Sequence, residues 1–346
     1  MDEQHLLGTG PLLNERGDLS EVGYAFSLTK DYSRGKIKGN PFRIKEWDYY
    51  YVGDQNRGIA LTIDDNSYMD LCSCTVFDYK NKTYWERSVG RALTNGKRNL
   101  PFSSASGETV YQKGGLKMKF TSENGKRHIL CVWPHFGKRG EELKADIVLE
   151  ETTGGNTMVI ATPFDKPHHF YYNQKINNQR ASGYFKLGED YYDLNHDAYG
   201  VLDWGRGVWT YQNTWYWSSL SSFDNGHLIG WNLGYGFGNT SKASENMLFV
   251  DKKVYKLDDV IFDIPKDKKG KDDFMKDWHI TSKKGDIDLH FHPLFVRHGG
   301  GNVILVKSIQ NQVFGVFSGR FTLNDGQEIV EIHDKIGFAE KVFNRW

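Results

Sequence analysis

The residues best equipped for chemistry fall in one run, Leu202-Asp203-Trp204-Gly205-Arg206-Gly207-Val208-Trp209, followed by Tyr211, Trp215, Tyr216, Trp217 and Trp231. Five of the chain's ten tryptophans lie there. Trp and Tyr faces stack on sugar rings and other CH-rich ligands while their polar edges hydrogen-bond. Such a cluster therefore lines a cleft for a small organic ligand or forms a large aromatic core. Asp203 and Arg206 bear on the choice, because a charge among tryptophans must be paired or must serve a ligand. A mutual Asp203–Arg206 clamp and a ligand or catalytic role for one of them both stand open. The glycines on either side of Arg206 let the backbone come close to a partner.

A second knot is Arg43-Ile44-Lys45-Glu46-Trp47-Asp48-Tyr49-Tyr50-Tyr51. On a strand, Glu46 and Asp48 project from one face and Trp47 from the other. Two carboxyls in different environments divide acid and base duties; charged side chains on an exposed strand are the simpler alternative. If Glu46 or Asp48 meets Asp203 across a pocket, their separation decides between retaining and inverting glycoside hydrolysis. In His168-His169-Phe170-Tyr171-Tyr172-Asn173-Gln174-Lys175, a histidine can act as acid or base near neutral pH. His196-Asp197 and Glu245-Asn246 flank the tryptophan-rich run. The site so expected uses Asp203, Glu46, Asp48 and Glu245 as catalytic acids. Trp204, Trp209, Tyr211, Trp215 and Trp217 line it, and Arg206, His169, Tyr172, Lys175 and His196 give polar contacts.

Other patterns point away from cofactors. Asp288, His290 and His292 share one strand face, as in part of a metal site, but further ligands are not evident, and polar groups on a wet face are the simpler reading. Gly234-Tyr235-Gly236-Phe237-Gly238 lacks the spacing of a dinucleotide fingerprint, and no phosphate loop occurs. No Gly-x-Ser-x-Gly elbow is present. Cys72, Cys74 and Cys131 form no CxxC and suit a reducing compartment, as structural filler. Neither a cofactor nor a metal is expected.

The elements that must hold these residues are strands. Among 346 residues are 21 Phe, 19 Tyr and 10 Trp, a composition that favours sheets with aromatic-lined cavities. Short alternating runs recur between Gly, Asn and Asp: 59–63, 116–120, 128–132, 145–150, 158–161 and 285–292. Residues 313–323 and 328–332 read as a hairpin closed by Asn324-Asp325-Gly326. Helix is confined to a turn or two at 31–34 and 241–247, and 266–273 is a solvated loop. The expected fold is all-β, with two antiparallel barrel or sandwich units and few short helices. A loose division follows residue 175, giving units 1–175 and 176–346, in the polar stretch Asn173 to Ser182. Lys plus Arg and Asp plus Glu are both 44, so no net field attracts nucleic acid or an anionic membrane. The start of the chain has no secretion signal and no stretch is long enough to span a bilayer, which suggests a cytoplasmic protein.

Several of these segments resemble a bacterial family catalogued as domain of unknown function 2804: 43–50, 202–207, 234–238, Glu245-Asn246, and Gly337-Phe338-Ala339-Glu340. That family is remotely similar to carotenoid 1,2-hydratases and other lipocalin-like proteins. The resemblance implies two β-barrel-like or β-sandwich units with a ligand site between or within them, and it assigns no catalytic residue. From the residues themselves, the leading expectation is a glycoside hydrolase acting on a small-molecule or oligosaccharide ligand. The alternatives are a hydratase or lyase on an isoprenoid-like substrate and a lipocalin-like binding protein without catalysis.

Overall fold

A computed structural model describes residues 4–300, 302–303 and 306–345; Met1, Asp2 and Glu3, on which the reading of the N-terminus partly rests, lie outside them. The described residues contain no α-helix, only the 3-10 turns Arg34–Lys36, Pro41–Arg43 and Asn324–Gly326. None of their helices is long and apolar enough to cross a membrane. The segment 241–246 is a loop, not the expected helical turn.

Two large antiparallel sheets dominate. The first runs Thr83–Ala92, Met69–Asp78, Arg57–Asp65, Ile44–Gly53, Tyr199–Val208, Phe170–Leu187, Leu143–Glu150, Lys126–Trp133, Leu116–Glu123 and Gly107–Lys113. It curls around an apolar core that includes Tyr50, Leu61, Ile129, Ile147 and Trp204. Its two end strands are linked by side chains, Arg91 to the Gln112 carbonyl and Lys113 to the Gly90 carbonyl. The three cysteines are buried in this sheet's core, where burial pushes each thiol up.

The second sheet runs from Lys253–Lys256 through Met247–Val250, His227–Tyr235, Gln212–Asp224, Glu328–Arg345, Val306–Leu323, Ile287–Gly299 and Trp278–Thr281 to Ile261–Asp263. Its own core holds Trp231, Leu248, Trp278, Phe291 and Phe317. The expected hairpin is its longest ladder, from Val306–Leu323 into Glu328–Arg345. The chain passes from one sheet to the other between Val208 and Gln212. The expected boundary at 175/176 falls inside the strand Phe170–Leu187 of the first sheet.

The two sheets also pack on each other, which explains why the central strands do not alternate between apolar and polar. Every residue of Tyr199–Val208 is buried, because one face meets the first core and the other meets the second sheet. Aromatic rings fill part of that contact: Tyr51 with Phe338 at 5.7 Å, Phe77 with Phe314 at 4.2 Å and Tyr49 with Trp217 at 6.0 Å.

The polar stretch expected to separate two units instead joins them. In Phe170–Leu187 the register shifts between Ile176 and Gln179, and Asn178 takes φ 58°, a conformation that Asn tolerates well. The bulge pushes Asn177 into the second sheet, where its Nδ2 donates to Ser219 Oγ at 2.8 Å and to the Trp231 carbonyl at 2.9 Å. The backbone N–H of Asn178 donates to Ser221 Oγ at 2.9 Å. Gly230 makes room, since a Cβ there would lie 2.0 Å from Asn178 Oδ1. Asn177→Ala strands these buried partners and is expected to cost about 1–3 kcal/mol, measured as a lowered urea midpoint at unchanged slope.

Candidate active site between the sheets

Pleat parity separates the expected acids. Across the ladders, Asp203 faces Lys175 on one side and Tyr49 on the other, while Trp204 faces Asp48 and Arg206 faces Glu46. Successive side chains point to opposite faces, so Asp203 looks toward the second sheet and Glu46, Asp48 and Arg206 look into the first core. Neither the Asp203–Arg206 clamp nor a pairing of Asp203 with Glu46 or Asp48 exists.

Inside the first core those three charges satisfy one another. Arg206 Nη2 lies 2.9 Å from Asp48 Oδ1, and Nε lies 4.0 Å from Glu46 Oε1. The Arg206 guanidinium also donates to the carbonyls of Trp47 at 2.7 Å and of Gly205 and Pro101 at 2.9 Å, and it stacks 4.3 Å over Trp204. Glu46 accepts from Tyr32 Oη at 2.8 Å and Arg34 Nη1 at 2.5 Å; Asp48 accepts from Thr109 Oγ1 at 2.5 Å. Glu46, Asp48 and Arg206 thus form one buried, mutually bonded network on the face away from Asp203.

Other expected contacts also fall away from Asp203. Tyr172 is buried in the first core, its hydroxyl donating to the Lys30 carbonyl at 3.2 Å. His196 is exposed in a turn, His169 bonds the Pro167 carbonyl at 2.8 Å in a loop, and Tyr211 is exposed beneath Arg43. The glycine beside Arg206 has a clear partner: a Cβ on Gly205 would lie 2.1 Å from the Trp47 indole.

What the fold does assemble is a buried polar cluster between the sheets. Lys175 Nζ lies 2.8 Å from Asp203 Oδ2 and 3.7 Å above the Trp217 ring, and Asn173 Nδ2 donates to Asp203 Oδ1 at 2.7 Å. From the second sheet comes Glu340, paired in register with Trp217 and Gln312. Its carboxyl accepts from Trp215 Nε1 at 3.0 Å and from Gln312 Nε2 at 3.4 Å. Glu245 closes the third side, accepting from Asn232 Nδ2 at 3.1 Å, whose own Oδ1 accepts from Trp217 Nε1 at 2.7 Å. Gly234 is required beneath it, because a Cβ would stand 2.8 Å from Glu245 Oε1.

Aromatic rings roof the cluster. Phe237 stacks on Tyr171 at 4.8 Å and on Trp215 at 5.1 Å, with the Trp209 edge against both. The Tyr171 hydroxyl is buried and hydrogen-bonds to nothing among the described residues, so it is a group that a ligand would satisfy. A small crevice between the sheets is lined by Tyr51, Val201, Ser219 and Phe338 among others. Val201 and Phe338 lie one pleat along their strands from Asp203 and Glu340.

Charge balance governs the chemistry. Among the described residues, Lys175 is the cation bonded to a carboxyl of this three-carboxyl cluster, with Arg297 and Lys256 acting on Glu340 and Glu245 from further away, and burial disfavours ionising all three. Burial pushes Glu340 up to about 7; the Trp215 N–H and Lys175 oppose that rise and Asp203 adds to it. Burial also raises Glu245, against Lys175 and Asn232 and with Asp203. Lys256, behind Glu245, is itself held down at about 7 by burial. The result is a buried carboxyl whose proton is held up to about neutral pH, in one cluster with the Lys175–Asp203 pair and under a roof of aromatic rings.

Of the residues expected from sequence, the structure brings together Asp203, Glu245, Lys175, Trp209, Trp215 and Trp217. It adds Glu340, Tyr171, Asn173, Asn232, Tyr49 and Gln312. Glu340 carried a signal of its own, as a lone acid after Gly337-Phe338-Ala339 in a strand whose neighbours are buried.

The fold is similar to the crystal structure of a candidate AttH from Nitrosomonas europaea, with a TM-score of 0.50 at 11% identity, covering 91% of this chain and 98% of that one. Kievitone hydratase from Nectria haematococca is matched with a TM-score of 0.48 at 11% identity, over 99% of this chain and 98% of that one. No curated protein matches the sequence. The first likeness supports the expected lipocalin-like, all-β architecture, and at that identity it speaks to fold alone. The family model described as Domain of unknown function (DUF2804) matches residues 3–346, and the chain belongs to that family.

Proposed function

We propose that the inter-sheet cluster is the active centre of a hydratase or lyase that adds water to, or removes it from, a carbon–carbon double bond in a largely apolar, isoprenoid-like substrate. The observation that carries this reading is Glu340, a carboxyl buried between the sheets on Trp215 and Gln312, in one cluster with the Asp203–Lys175 pair and pushed up to about 7 by burial. In hydration, Glu340 gives its proton to one alkene carbon, and positive charge develops on the other. The ring faces that Lys175 leaves open on Trp217 and Phe237 leaves open on Trp215 stabilise that charge. Asp203 takes a proton from the water that bonds to the cationic carbon, and proton exchange with solvent restores both carboxyl groups. The net change is one water added, and the reverse sequence is dehydration.

The glycoside hydrolase expectation loses the pairing of Glu46 or Asp48 with Asp203, since they lie on opposite faces of the first sheet. A purely binding role fits acids locked in ion pairs, as Glu46 and Asp48 are, but not Glu340 or Glu245. The test is incubation of purified protein with a panel of isoprenoid alkenes and their tertiary alcohols in ¹⁸O-labelled water. Product is followed by mass, with Glu340→Gln and Asp203→Asn alongside. Label incorporation by wild type that both variants lose supports the proposal; release of sugar from glycosides with no alkene turnover overturns it.

A further inference from the structure

On the outer face of the second sheet, away from the acids, three side chains converge in a way no single stretch of sequence reveals. His279 of the strand Trp278–Thr281 pairs in register with His290 of Ile287–Gly299. Their rings stack with centroids 4.8 Å apart and planes within 3° of each other. Asp288, two residues from His290, points from the same face. Its Oδ1 lies 2.8 Å from His279 Nε2 and 3.8 Å from His290 Nε2, and one ligand atom from each of the three falls within 4.8 Å of the others. His292, the third residue of the motif visible in sequence, turns instead to Asp277 at 2.7 Å.

We propose that His279, Asp288 and His290 form a binding site for a divalent transition-metal ion, with Zn²⁺ as the probe of choice. Two imidazoles and a carboxylate are borderline donors that suit Zn²⁺, Cu²⁺ or Ni²⁺ over Mg²⁺ or Ca²⁺. Zinc bonds of about 2.0–2.2 Å to nitrogen and oxygen put tetrahedral ligand atoms roughly 3.3 Å apart, a spacing bracketed by the two contacts above. All three side chains are part-exposed or exposed, so the ion has a direct route in and water completes its shell. Arg320 Nε stands 4.0 Å from the other Asp288 oxygen. It competes only weakly for the carboxylate, because an exposed pair of this length is screened by water. The backbone ladder holds the two histidines side by side, and a turn of their stacked rings about the side-chain torsions brings both nitrogens onto one ion.

The test is calorimetric titration of untagged full-length protein with Zn²⁺, with Mg²⁺ as control, backed by the visible absorption of Co²⁺ bound in its place. Wild type is expected to take up one Zn²⁺ per chain and no Mg²⁺. His279→Ala and His290→Ala, on an exposed face, should keep the fold and each weaken binding by at least about tenfold. Asp288→Asn should weaken it and change the Co²⁺ spectrum. Saturable binding unaffected by either histidine substitution, or no Zn²⁺ uptake by wild type, overturns the proposal.

Discussion

Replacing Glu340 with Gln should lower turnover by about 100-fold or more while making the protein more stable above neutral pH. The loss follows from removing a proton donor that touches the reacting carbon in the proposed hydration. The gain follows from linkage. In the folded chain this carboxyl titrates at about 7 against an ordinary 4.5, so the folded state holds its proton more tightly than the unfolded state. Stability from this group is greatest below about pH 4.5, falls as pH rises toward 7, and levels off above that. At pH 8 the penalty amounts to as much as about 3 kcal/mol, the cost of ionising a buried acid. Gln mimics the protonated form, keeps an acceptor for Trp215 Nε1 and carries no charge to desolvate.

Urea unfolding of wild type and variant at pH 5 and pH 8 separates this contribution from the rest. Asp64, pushed up to about 8 by burial, bends both curves in the same sense, so the difference between the two proteins isolates Glu340. Wild type should lose ground to the variant between those pH values. Parallel curves would mean that Glu340 titrates like an exposed acid, and the acid–base scheme would lose its proton donor. The same ionisation predicts that wild-type turnover declines as pH rises through about 7.

What the sequence reveals and what it hides follow from the range of the interactions. The strands 287–292 and 313–332 are legible because one face of each is apolar over several residues. Parity along a single strand is equally local: three residues apart, Asp203 and Arg206 must point to opposite faces of any strand that holds both. Which strand lies beside which is not local. Glu46 and Asp48 seem natural partners for Asp203 until the ladder sets Tyr49 beside it. Glu340 arrives from the far end of the chain in another sheet. Asn177 and Asn178 look like linker because Asn favours turns, yet their N–H groups donate to partners in the second sheet, which only the assembled fold supplies. His279 likewise joins Asp288 and His290 by strand pairing alone.

The largest effect on folding should come from Arg206→Met, a loss of about 3–5 kcal/mol against a total that in most domains is about 5–15 kcal/mol. Arg206 is fully buried and holds Asp48 at 2.9 Å, with Glu46 at 4.0 Å and three backbone carbonyls on its two Nη atoms. Met preserves much of the volume and the contact with Trp204 but leaves Asp48 as an uncompensated charge in the core. Lys is no substitute either, since one ammonium cannot reach this forked set of acceptors. Adding Asp48→Asn to Arg206→Met should restore a sizeable part of the loss, because the stranded charge and not the missing side chain dominates the cost. A double-mutant cycle on urea midpoints reads that coupling directly. Coupling near zero would mean that Arg34 and solvent already carry Glu46 and Asp48, leaving Arg206 free for the ligand role its glycine-flanked position first suggested. Strong coupling, with wild-type turnover kept in any folded Arg206 variant, would assign the two charged networks on opposite faces of one strand to separate tasks: Arg206 to the fold, Asp203 to chemistry.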